Sequence, residues 1–184
     1  MSETLVAAYS EANRHYHTLD HIGACLHLAA DAPLPDSDRD AVEYALWFHD
    51  IVYDPRREDN EERSARMVHE WMEEVGVADA ERVAGLVRMT AGHRVGPQAD
   101  LAARVVCDVD LSVLGSSPAA YGRYVHQIRS EYEWLPEEEF RSGRRQMLRT
   151  FLEADHIYSL PPYVEIFEDQ ARLNMTQELA SLAT

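Results

Sequence analysis

Apolar residues in this chain recur every three to four positions, and nowhere is there a convincing apolar/polar alternation of four or more residues followed by a hairpin turn. That period confines the chain to an all-α fold. Helices are expected over residues 2–14, 18–30, 37–52, 59–75, 79–92, 98–114, 118–132, 137–155 and 163–181. Residues that stop one helix or start the next separate several of these runs: Asp31-Ala32-Pro33-Leu34-Pro35, Gly96-Pro97, Gly115-Ser116-Ser117-Pro118, Leu135-Pro136 and Pro161-Pro162. No repeat, low-complexity tract or long linker divides the sequence. The 184 residues are therefore expected to form one domain, 1–184, of eight or nine helices, long enough to bury a proper core.

All 17 basic residues are arginine. Without lysine the chain has neither the lysine of a phosphate-binding G-x-x-x-x-G-K-[ST] loop nor an amine for Schiff-base chemistry, which excludes both classes. A net charge of −16 repels nucleic-acid polymers and anionic membranes, so a phosphate partner should be small and held by local arginines. No basic segment precedes an apolar run at the N-terminus, and no apolar stretch is long enough to span a membrane. Cys25 and Cys107 each sit in an apolar helical pattern, as buried thiols of a reducing compartment do, and a cytoplasmic protein without a disulfide is expected.

The nine histidines carry the chemical information. On a helix His17 and His21 stand one above the other at i and i+4, and His21 continues onto Cys25 and Leu28, which turns it inward; the alternative is a helix start with solvated rings. His49 follows Val42, Ala45 and Leu46 on an apolar face, with Asp50 four residues after Leu46. A buried carboxylate needs a partner, and a cation satisfies both members of the His49-Asp50 pair together. Asp110 shares a face with Val106, Cys107, Val113 and Leu114. Asp108 instead neighbours Arg104, Val105, Leu111 and Ser112, a half-polar setting suited to an ion pair with Arg104. Asp110 is thus the expected ligand and Asp108 the reserve. His21, His49, Asp50 and Asp110 together offer two imidazoles and two carboxylates. That set suits Mn²⁺, Fe²⁺, Co²⁺, Ni²⁺ or Zn²⁺, whereas Mg²⁺ is less natural with two imidazoles. Four ligands on an octahedral ion leave two positions for water, which the ion acidifies into a nucleophile.

The order His21, His49-Asp50, Asp110 resembles the HD-domain superfamily of metal-dependent phosphohydrolases. Tyr16-His17-x-x-x-His21 is similar to the Tyr-His-Asn-x-x-His signature of cyclic nucleotide phosphodiesterases, with Thr18 in place of Asn. That resemblance implies that His17 protonates the leaving group and His21 binds metal. Trp47-Phe48-His49-Asp50-Ile51-Val52-Tyr53-Asp54, then Asp59-Asn60-Glu61 with Ser64-Ala65, then Asp108-Val109-Asp110-Leu111-Ser112-Val113-Leu114-Gly115, look like a bacterial subgroup of predicted metal-dependent HD phosphohydrolases. The likeness spans roughly residues 16–115 and implies hydrolysis of a small phosphate ester or nucleotide. Guanosine tetraphosphate hydrolases of the superfamily usually carry a Glu-Asp pair shortly after the His-Asp, and the stretch Ile51–Asp54 lacks it.

Further candidates follow from position. Asp54 lies four residues beyond Asp50 on the same face and is placed to orient water or take a proton from it. His93 follows Leu86, Met89 and Thr90 at a helix end, where it either touches a phosphate oxygen, supports a second metal or simply meets the helix dipole. Arg94 and Arg88 are the candidate phosphate clamps, with Arg56 and Arg57 also available. A second reading is a non-catalytic sensor or scaffold that binds metal or nucleotide without turnover. Phe140, Met147, Leu148, Phe151 and Leu152 either complete the core, the expected role, or form a homodimer face.

Overall fold

The computed structural model describes residues 2–93, 95–96 and 98–183. Among them the helical period is realised throughout, without a strand. The helices are α1 (Ser2–Ala8), α2 (Leu19–Ala30), α3 (Asp36–Phe48), α4 (Asn60–Val75), α5 (Ala80–Met89), α6 (Leu101–Asp110), α7 (Pro118–Glu131), α8 (Glu137–Leu152) and α9 (Pro161–Ser181), with a 3₁₀ turn over Leu111–Gly115. Local chemistry sets several ends. Gly76 takes the left-handed conformation at φ 71° and returns its N–H to the Met72 and Glu73 carbonyls, closing α4. Ser117 accepts the Ala120 N–H while Pro118 opens α7. Three glutamates, Glu137 to Glu139, occupy the first turn of α8, where acids favour the helix dipole.

Several expected helices stop early, among them the first, third and fifth, whose truncations involve the candidate site. The first ends at Ala8 rather than at residue 14, which leaves residues 9–18 non-helical ahead of α2. The third ends at Phe48 rather than at residue 52. Beyond it the Val52 N–H donates to Ser64 Oγ (3.1 Å) and the Asp54 N–H to Asn60 Oδ1 (3.1 Å), so two α4 side chains take donors that a continued helix would have used. The fifth ends at Met89, with Gly92 and then His93 in the left-handed region.

The chain divides into two compact units, residues 1–110 and 111–184. In the first, α3 is the hub: it packs against α2, α4, α5 and α6 and buries Ala41, Val42, Ala45, Leu46 and Phe48. The α4 and α5 pair buries Ala65, Val68 and Met72 together with Val83, Ala84 and Val87. In the second unit α9 packs on the 3₁₀ turn and on α8. A Cβ on Gly115 would stand 2.5 Å from Phe167 Cβ and 2.7 Å from the Phe167 carbonyl oxygen, so only glycine permits this approach. Asn174 Nδ2 donates to the Leu114 and Ser116 carbonyls, and Arg144 forms a buried two-point pair with Glu178 (2.7 and 3.0 Å). The apolar stripe of α8 turns inward in this unit, with Phe140 and Leu148 buried. No helix among the described residues is long and apolar enough to cross a membrane.

Candidate metal centre

Three helix ends in the first unit deliver the candidate ligands. His21 lies in the opening turn of α2, whose buried face continues through Ile22, Cys25 and Ala29. His49 caps α3: its N–H still reaches the Ala45 carbonyl (2.8 Å), so its ring prolongs the buried stripe of Val42, Ala45 and Leu46. Asp110 is the last residue of α6. His21 and His49 are almost fully buried, and the Asp110 side chain keeps 12% of its surface exposed.

These side chains converge tip to tip. His21 Nε2 lies 3.2 Å from His49 Nε2 and 3.1 Å from Asp110 Oδ1, and His49 Nε2 lies 3.5 Å from the same oxygen. Asp50 Oδ2 approaches from the His49 side, 3.0 Å from His49 Nε2 and 3.7 Å from His21 Nε2. Donors bound at about 2.1 Å from one ion stand roughly 3.0–3.4 Å apart along an octahedral or tetrahedral edge. The spacing of His21, His49 and Asp110 fits that requirement, so this cluster can hold a metal ion.

Electrostatics point the same way. Burial opposes charge on His49 most strongly, yet Asp50 and Asp110 outweigh it and raise its pKa well above the ordinary 6.5. For Asp50, burial favours the neutral acid, but His49 and then His17 overcome it and hold the carboxyl far below the usual range. Asp110 behaves alike, with burial outweighed by His49 and His93. Two buried carboxylates thus demand positive charge between them, which either a proton on His49 or a divalent cation supplies.

Neighbouring groups orient these ligands. His49 Nδ1–H donates to the Leu46 carbonyl (2.9 Å), which turns Nε2 toward the cluster. Asp110 divides its oxygens: Oδ1 faces His21 and His49, while Oδ2 accepts from His93 Nε2 at 2.6 Å. His93 achieves this from φ 54°, a left-handed conformation uncommon for residues other than glycine, held here against its intrinsic cost. Burial, and beyond it Asp110 and Asp50, push the Cys25 thiol well up, so it remains a thiol directed at the Val109 carbonyl.

His17 takes a different place from the one its spacing suggests. It precedes α2, so the expected i,i+4 stack on one helix does not form; its ring stands edge-on to His21 with centroids 6.1 Å apart. There it lies flat against Tyr53, centroids 4.2 Å apart, on the border of the cluster. Asp54 also departs from expectation, because α3 has ended and no helical face joins it to Asp50. Its Oδ1 accepts the Arg56 N–H (3.0 Å) in a local turn. Asp108, expected in a half-polar setting, is fully buried. The inference failed because α6 is enclosed around most of its circumference, from Ala102 to Val109, and a face deduced from neighbours at three and four positions has no meaning there. Arg88 is engaged on the surface by Glu62 (2.7 Å) and Glu81 (3.4 Å), and Arg94 lies outside the described residues.

One residue at the site escaped the sequence reading. Arg14 is buried, donating to the carbonyls of Asp50 (2.6 Å) and Ile51 (2.9 Å). Its only sequence signal is an arginine placed where a helix was expected, which reads as an ordinary surface charge. No protein-family model matches the chain, and neither a curated protein nor a solved structure does.

Proposed function

We propose that the chain is a metal-dependent phosphohydrolase that cleaves a small phosphate ester or a nucleotide. The observation that carries this reading is the convergence of His21, His49 and Asp110 within 4.8 Å of one another, with Asp50 beside His49. The resemblance of Tyr16–Gly115 to HD-domain phosphohydrolases supports it. Mn²⁺, Fe²⁺, Co²⁺, Ni²⁺ and Zn²⁺ suit the mixed imidazole and carboxylate donors, and the two buried thiols suit work in the cytoplasm. A bound divalent cation supplies Lewis acidity toward a phosphoryl oxygen and acidifies water to a nucleophile near neutral pH.

The protein's own groups divide the remaining work. His21, His49 and Asp110, with Asp50 beside His49, would hold the cation; the Leu46 carbonyl aims the His49 lone pair and His93 orients the Asp110 carboxylate. His17 borders the cluster without joining it, which suits a donor that protonates the leaving oxygen. Tyr53 supports its ring from one side.

Metal content by mass spectrometry tests the reading, on protein purified without chelator or nickel resin and compared with folded Asp50→Ala. About one transition metal per chain, lost in the variant, is expected. A phosphate-substrate screen with that metal should then give turnover that His17→Ala lowers by about 10²- to 10⁴-fold while retaining metal. A folded wild type that takes up no Mn²⁺, Co²⁺ or Zn²⁺ refutes the hydrolase. Metal retained without turnover over a wide phosphate panel supports a non-catalytic sensor instead.

A further inference from the structure

We infer that Arg14 is a positioning residue that locks the His17 segment to the peptide following α3, so that the proton donor and Asp50 keep one register. Its catalytic consequence rests on the hydrolase reading; its structural consequence does not.

The Arg14 side chain is fully enclosed, while its carboxylate partner Glu11, 3.2 Å away, is half exposed. Burying a guanidinium beside a partner still in water is unfavourable unless its donors are satisfied elsewhere. They are satisfied by main chain from two separate stretches. Nη1 donates to the Asp50 carbonyl (2.6 Å) and, more weakly, to the His17 carbonyl (3.3 Å), and Nη2 donates to Ile51 (2.9 Å). The Asp50 and Ile51 carbonyls lie just past the C-terminal end of α3, where a cation also complements the helix dipole.

A second tie reaches His17 through its ring. The guanidinium carbon sits 5.0 Å from the Tyr9 centroid and 5.4 Å from that of Tyr53, and Tyr53 stacks on His17. The Tyr9 hydroxyl donates to the Trp47 carbonyl (2.8 Å), anchoring the start of the segment to the last turn of α3. Residues 9–18 have no helix of their own to fix their course, so these side-chain bonds set where His17 stands relative to Asp50. Lysine keeps the charge of Arg14 but has no planar fork to span carbonyls from two stretches.

Arg14→Lys, loaded with Mn²⁺ and assayed on phenyl phosphate, whose basic leaving oxygen needs a proton, separates positioning from simple support of the fold. The expected result is Mn²⁺ affinity within about threefold of wild type, a similar KM and a kcat lower by about 10- to 100-fold, the scale of a misplaced catalytic group. In the His17→Ala background the same substitution should leave the residual rate unchanged. Equal kcat losses in both backgrounds, or Mn²⁺ affinity falling in step with kcat, would overturn the inference. Hydrogen–deuterium exchange supplies a readout without turnover: amides of residues 10–18 should exchange about tenfold faster in Arg14→Lys, with the α3 core unchanged. Unchanged protection refutes the clamp whatever the activity. Faster exchange alongside a wild type that turns over no phosphate leaves the clamp standing and refutes the hydrolase. Should Arg14→Lys not fold, Tyr53→Leu tests the same tie through the ring stack, with a fall in kcat confined to proteins that retain His17 expected and a loss independent of His17 overturning it.

Discussion

His93→Gly should weaken metal binding while leaving the metal-free fold almost unchanged. Two opposing terms act on the metal-free protein. A non-glycine residue at φ 54° carries about 1–2 kcal/mol of left-handed cost, which glycine relieves. Against this, the variant loses the 2.6 Å bond to the Asp110 carboxylate, worth about 1.5–3 kcal/mol for a bond to one charged group and less here because the His93 side chain is 24% exposed and water can substitute. The balance is a change within about 1 kcal/mol in urea unfolding with chelator present. Metal affinity has no such compensation. Asp110 Oδ2 loses the donor that fixes its rotamer, so Mn²⁺ affinity measured by titration calorimetry should fall about 10- to 100-fold, or about 1.4–2.8 kcal/mol. Affinity within twofold of wild type would refute the orienting role. A loss of metal-free stability above about 3 kcal/mol would refute it too, since His93 would then be part of the core rather than a support for one carboxylate.

Other outcomes follow from the same geometry. Asp110→Asn should abolish stoichiometric metal in inductively coupled plasma measurements, whereas Asp108→Asn should retain it. Metal affinity should fall as pH drops toward 5, because the ion competes with the proton that Asp50 and Asp110 hold on His49, and binding near pH 7 should release protons in calorimetry across buffers of different ionisation enthalpy. In the metal-free protein the raised His49 pKa contributes stability that is fully present below the ordinary 6.5 and lost as pH rises through the raised value. The depressed Asp50 and Asp110 pKa values contribute stability present above the ordinary 3.8 and lost as pH falls through the depressed ones, so urea midpoints with chelator should peak between those limits. Gly115→Ala should cost about 1–3 kcal/mol in the same assay, because the new methyl meets Phe167 backbone that has no flexible end to yield.

Helix existence and the residues that meet in the central cluster were legible in the sequence. Burial of one stripe imposes the 3.6-residue period on the chain itself, so α2 to α9 lie close to their expected positions. His21, His49 and Asp110 were legible for a related reason: an imidazole or acid on an apolar stripe must find a partner, and each stripe can be read from its own helix. A stripe loses that meaning where the whole helix is enclosed. Asp108 sits on a helix enclosed on most sides, so its polar neighbours in sequence did not mark an exposed face.

Sequence by itself therefore determined the fold class, the absence of lysine chemistry and the donor types gathered at the centre, all of which depend on residue identity and local period. Tertiary structure decided where the helices stop and what stands at their ends. Ser64 and Asn60 reach back from α4 to take the backbone donors of Val52 and Asp54, and Arg14 takes the carbonyls of Asp50 and Ile51. Each of these bonds competes with helix continuation through a partner distant in sequence, and helical periodicity records only neighbours a few residues away. The same distance hid the place of His17, which its spacing put on α2 and the packing of Tyr53 and Arg14 put beside it.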